Sequence, residues 1–80
     1  MPYEFHDTSH VETRARERGF SVEQAMLTID DPGSILKTPP RRGYHGGMLW
    51  LFFRVFEGRT LIVVAEIKLN ECWIITGYWN

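Results

Sequence analysis

Three apolar blocks, MLWLFFRVF at 48–56, LIVVAEIK at 61–68 and CWIITGYW at 72–79, follow one another with only Glu57-Gly58-Arg59-Thr60 and Leu69-Asn70-Glu71 between them. Their β-branched and aromatic residues suit a pleated, half-buried surface. Linkers so short allow only antiparallel neighbours, because a parallel pair needs a crossover of roughly a dozen residues. The second half of the chain therefore reads as a three-stranded antiparallel meander. Two of the blocks are nearly apolar on both sides, so both faces of the sheet need cover. Side chains alternate along a strand, which places Glu66 with Lys68, and Thr76 with Tyr78, on a shared side of their own strands. The side taken by Arg54 depends on register. A two-residue loop at Gly58-Arg59 sets it opposite Val63, and a three-residue loop turns it to the Glu66 face.

The first half supplies helices. Tyr3-Glu4-Phe5 alternates, and either adds an edge strand or packs an aromatic against the sheet. Ser9-x-x-Glu12 has capping-box spacing, so a helix is expected over 10–18, ended by Gly19. Ser21-x-x-Gln24 repeats the box, and Val22, Ala25, Met26 and Ile29 recur at the spacing of one helix face until Asp30-Asp31-Pro32-Gly33 stops it. Ile35 to Thr38 is a possible short strand. From Pro39 to Gly47 the chain reads as a loop, because neither Pro39 nor Pro40 can donate to a central ladder. That loop, PPRRGYHGG, is either an ordinary solvated connection or a basic segment with a stacking side chain. The expected architecture is a single α+β domain over 1–80, two N-terminal helices packed on an antiparallel meander of three to four strands.

Composition narrows the function classes. With 80 residues and one cysteine, Cys72, the chain is a small domain without an internal disulfide, and Cys72 reads as a strand hydrophobe. Arg54 and Glu57-Gly58-Arg59 interrupt the most apolar run, and the N-terminus is no signal peptide, so a cytoplasmic protein with no membrane contact is expected. Nine Lys plus Arg against ten Asp plus Glu give a net charge of −1, without the basic excess usual in nucleic-acid binders. Locally, Arg14, Arg16, Arg18, Lys37, Arg41 and Arg42 can still form a patch.

His10, Arg14 and Arg18 recur every fourth residue and form one stripe on the first helix. The stripe is either a solvated face with guanidinium stems lying over apolar surface, or an anion site with a titratable imidazole. His6, His10, His45 and Asp7 lack the close spacing of a metal centre, and Gly43-x-x-Gly46-Gly47 lacks the helix and lysine of a phosphate loop, so no metal or cofactor is expected. Histidine, arginine, glutamate and tyrosine remain, a set suited to cleaving RNA through its own 2′-hydroxyl. In that chemistry His10 or Glu66 is the base, Arg14, Arg18 and Arg54 the phosphate clamp, and His45 or Tyr78 the acid. Arg41 and Arg42, with His45 and Glu66, are candidates for holding substrate.

The motif His10-x-x-x-Arg14-x-x-x-Arg18-Gly19-Phe20-Ser21-x-Glu23-x-Ala25, with Leu61-Ile62-Val63-Val64 and Trp73-Ile74-Ile75-Thr76-Gly77-Tyr78, resembles a family of small bacterial domains of unknown function. That family is similar to BrnT and, more distantly, to RelE-type toxins. The resemblance implies a compact sheet with two N-terminal helices, and a ribonuclease toxin of a toxin–antitoxin pair. His10, Arg14 and Arg18 match family positions, and Arg54 and Tyr78 match as a strand arginine and an aromatic near the C-terminus.

Two functions are therefore expected as alternatives. One is a toxin-like, metal-independent endoribonuclease or RNA-binding relative, covered on its apolar sheet face by a cognate antitoxin. The other is a non-enzymatic interaction module or small homodimer that uses the same face.

Overall fold

The computed structural model describes residues 3–6 and 9–80, with the side chains of these except at 34 and 36–40. The meander forms as its short linkers require: β3 (Met48–Phe56), β4 (Arg59–Lys68) and β5 (Glu71–Trp79) pair antiparallel in sequence order. Glu57 and Gly58 make the first turn with φ of 50° and 81°. Positive φ at both turn residues gives the turn whose twist matches that of the flanking strands. The loop thus lies one residue earlier than the Gly58-Arg59 expectation, and Arg54 pairs with Leu61, on the Val63 side of the sheet.

The sheet has five strands, not three to four, and is mixed: its order is β1-β5-β4-β3-β2. Tyr3-Glu4-Phe5 does contribute an edge strand. β1 (Glu4–Phe5) runs parallel to β5, with the Glu4 N–H donating to Asn70 O at 2.8 Å and the His6 N–H to Cys72 O at 2.9 Å. The expected loop from Pro39 is instead strand as far as Arg42. β2 (Ser34–Arg42) is the opposite edge, and its register shifts between Lys37 and Arg42, where the prolines fall. An edge with a shifted register is where a missing N–H breaks no ladder.

Both helices lie on one face. α1 (Ser9–Arg18) starts at Ser9, one residue before the expected His10, and buries Val11 and Ala15. Gly19 follows with φ 78°, its N–H donating to Ala15 O at 2.8 Å. α2 (Val22–Asp30) has the expected capping box: the Gln24 N–H donates to Ser21 Oγ at 3.0 Å and the Ser21 N–H to Gln24 Oε1 at 2.9 Å. α1 packs mainly on β5 and α2 on β4 and β3. Between them and the sheet lies the core of Val11, Ala15, Phe20, Ala25, Ile29, Phe52, Leu61, Val63, Ala65, Cys72 and Ile74. Each of its larger members contributes about 1.5–3 kcal/mol by leaving water. The Phe20 ring lies over Gly77, where a Cβ would come within 2.8 Å of Phe20 Cζ.

Halfway along β5 the pairing passes from Ala65 with Ile74 to Val64 with Thr76, leaving Ile75 as an extra residue. This bulge reverses the alternation. Trp73 and Thr76, on opposite sides by simple counting, both come to the face away from the helices, as does Tyr78. No described helix covers that face. Its strand residues include Leu49, Leu51, Phe53, Val55, Ile62, Val64 and Glu66, and Val55 is 62% exposed.

Candidate functional site

Glu66 is the one charged residue inside the run LIVVAEI, and β4 sets it between Leu49 of β3 and Trp73 of β5 on the face away from the helices. Its surface is fully buried. A carboxylate so placed must be satisfied by donors, because desolvating an unpaired charge costs many kcal/mol. The donors come from the loop that links β2 to β3. The Gly47 N–H donates to Glu66 Oε2 at 2.7 Å, and the His45 N–H donates to Oε2 at 2.9 Å. His45 Nδ1 lies 3.2 Å from Oε1.

The glycines of this loop follow from that closure. A Cβ on Gly43 would overlap the Glu66 carboxyl group, and one on Gly47 would lie 2.5 Å from Ile67 O. The loop is also closed on itself, by the Gly43 N–H donating to Gly47 O at 3.0 Å and the Gly46 N–H to Gly43 O at 3.3 Å. Gly43-x-x-Gly46-Gly47 thus forms a small anion-binding loop, and the anion is the protein's own carboxylate.

Burial pushes the Glu66 pKa up, but the Gly47 N–H and the side chain and N–H of His45 outweigh it and hold the group below the ordinary carboxylate value. Glu66 is therefore an ionised acceptor at neutral pH. With the His45 proton on Nδ1, the ring donates to Glu66 and presents Nε2 as a base. The His45 side chain is 43% exposed, and its ring stacks on Trp73 at 4.0 Å between centroids and 5° between planes. A carboxylate orienting a half-exposed imidazole, with an indole fixing the ring plane, is the arrangement of a positioned general acid or base.

Trp73 carries a second imidazole. The His6 ring stacks on it at 5.1 Å and 23°. His6 Nε2 is buried and lies 3.0 Å from Glu71 Oε1, an electrostatic approach without hydrogen-bond alignment. Lys68 closes the rim, with Nζ 3.9 Å from where a Gly46 Cβ would stand.

No protein-family model, curated protein or solved structure matches this chain.

The expected site residues fall into separate places. His45 and Glu66 are in direct contact, and Arg41 and Arg42 are exposed at the end of β2 that leads into their loop. His10 and Arg14 are exposed on α1. Arg18 is committed to the sheet: its Nη1 donates to Thr76 Oγ1 at 2.8 Å and to Gly77 O at 3.0 Å. Arg54 lies on the helix side, donating from Nη1 to Asp31 O at 2.6 Å and Asp31 Oδ2 at 3.1 Å, where it caps the end of α2. Tyr78 shares the Glu66 face, but pairs with Ile62, four positions along β4, which separates it from Glu66 by roughly 13 Å. Neither Arg54 nor Tyr78 joins His45. Asp7 and the Lys37 side chain lie outside the described residues. Among the described residues no group of three or more His, Cys, Asp or Glu is placed to hold a metal ion. No described helix is long and apolar enough to cross a membrane.

Sequence reading missed Trp73, His6 and Glu71 as neighbours of the site, and had Lys68 only as a residue on the Glu66 side of its strand. A signal for the core of it was present: one carboxylate in an apolar strand, and a glycine-rich loop with amides to spare.

Proposed function

We propose that this protein is a toxin-like, metal-independent ribonuclease or RNA-binding domain whose acid–base group is His45. One observation carries the reading: Glu66, buried and ionised, orients a half-exposed imidazole stacked on Trp73. Cleavage through the 2′-hydroxyl needs little more of a protein. The 2′-oxygen attacks the adjacent phosphorus while its proton passes to a base, the bond to the 5′-oxygen breaks, and that oxygen leaves with a proton. The products are a 2′,3′-cyclic phosphate and a 5′-hydroxyl. His45 Nε2 takes the first proton or gives the second. Arg41, Arg42 and Lys68 supply the positive charge that phosphate requires. Arg14, with His10 one turn before it on α1, adds a further exposed polar strip, and the resemblance of their motif to small toxin-like bacterial domains supports the same reading.

Incubation with a single-stranded RNA tests it. Cyclic-phosphate ends that form in the presence of a chelator, and vanish with His45→Ala at unchanged thermal midpoint, support the proposal. RNA left intact at all protein concentrations, or cut equally by His45→Ala, rejects the ribonuclease.

The uncovered sheet face favours a second reading, an interaction module whose partner is an antitoxin-like protein or a second copy. Val55 at 62% and Tyr78 at 39% exposure are large side chains left in water there. Sedimentation velocity separates the cases: a monomer that binds no apolar dye removes this reading.

A further inference from the structure

Tyr44 stands at the apex of the site loop with its whole surface exposed. An aromatic ring in water gains nothing by staying there, and the backbone that carries it is held in place. Gly43 and Gly47 are joined by a hydrogen bond, and the next residue along, His45, is fixed through both its backbone and its side chain to Glu66. The ring lies edge-on to His45, at 6.3 Å between centroids and 75° between planes. Arg41 and Arg42 precede it with only Gly43 between, and the Lys68 amino group borders the other side of the loop. The carboxylate that contacts this loop, Glu66, is buried beneath it and occupied by its amides. What the loop offers outward is an exposed ring on a fixed backbone, with positive charge on either side.

We infer that Tyr44 is a stacking platform for a base of single-stranded RNA, with Arg41 and Arg42 on the flanking phosphates. The inference rests on the ribonuclease reading for the chemistry at His45, and goes beyond it in naming the strandedness of the substrate. Bases in a duplex hide their faces against one another, so a stacking ring selects unpaired nucleotides, largely irrespective of sequence.

The test is fluorescence anisotropy at low salt with a labelled all-2′-deoxy oligonucleotide of mixed sequence, about 12 nucleotides long, which binds but has no 2′-hydroxyl to react. The single strand is expected to bind more tightly than the same strand in a duplex. Tyr44→Ala is expected to weaken it about tenfold and Tyr44→Phe to restore it, since the ring and not the hydroxyl stacks. Equal affinity of Tyr44→Ala and the native protein, a preference for duplex, or no binding by the native protein overturns the inference. Its failure is distinguishable from that of the ribonuclease reading. Tyr44-dependent binding without cleavage of the matching RNA rejects only the chemistry, whereas cleavage with affinity indifferent to Tyr44 rejects only the platform.

Discussion

Gly43 and Glu66 occupy adjoining space so closely that a methyl group on the first would overlap the carboxyl group of the second. The glycine is there for room rather than for backbone freedom. Gly43→Ala is therefore expected to push the loop off Glu66 and cost roughly 2–3 kcal/mol, the size of a lost buried bond to a charge. Gly58→Ala is the control: φ is 81°, but nothing lies within 4 Å, so only the backbone strain of about 1 kcal/mol applies. Urea denaturation of the two variants should rank them in that order.

Glu66→Gln removes the charge and keeps the size. A carboxamide with its oxygen in the Oε2 place still accepts from the His45 and Gly47 N–H groups, but it turns its NH2 toward His45 Nδ1, which must then give up its proton and accept. A loss of roughly 1–2 kcal/mol is expected as bonds to a charge become neutral ones, with the His45 tautomer reversed. A variant as stable as the native protein would show that the loop is not held by this carboxylate.

The same group gives stability a pH dependence with a defined sign. The folded state holds the Glu66 pKa below its ordinary 4.5, so between the two values the unfolded chain binds more protons. The contribution of Glu66 is complete above 4.5 and is lost as pH falls through the lower folded value. Acid titration of the unfolding midpoint should show a decline in that window which is shallower in Glu66→Gln.

Arg18 and Arg14 share a helix stripe but have different tasks. Arg18 joins α1 to β5 through Thr76 and Gly77. Arg18→Ala should lower stability by about 1–2 kcal/mol, whereas Arg14→Ala, at an exposed position, should stay within about 0.5 kcal/mol. Thermal melts of the single variants decide between this division and a uniformly exposed stripe.

Cys72 is buried in the core, and burial, with Asp30 nearby, pushes its thiol up to about 12. The reactive form is the thiolate. A chromogenic disulfide reagent at about pH 8 should leave the native protein unlabelled and react with it fully in denaturant.

How much of this was legible in the sequence depends on the length of each signal. The three apolar blocks and the Ser21-x-x-Gln24 cap repeat over several residues, and they appear where expected. β1 has two residues, too few for a period to show, and its parallel pairing depends on where β5 lies in space. The bulge at Ile75 is invisible in composition, because Ile74 and Ile75 are alike. It brought Thr76 and Tyr78 to the Trp73 side of the sheet, which strict alternation denies them. Of the expected site residues, His45 and Glu66 meet because a loop and a strand need each other's polar groups. Arg54 was assigned by residue type alone, and type does not distinguish a phosphate clamp from a helix cap.

The pairing of Glu4 with Glu71 also sets an order of assembly. β1 precedes every other strand of this sheet in the sequence and β5 follows them, so the earlier strand has no place to dock until β5 is made. His6 accordingly reaches Trp73 only when synthesis of the sheet is finished. The imidazole pair on that indole marks a sheet with β5 in place, and no nascent fragment lacking β5 can display it.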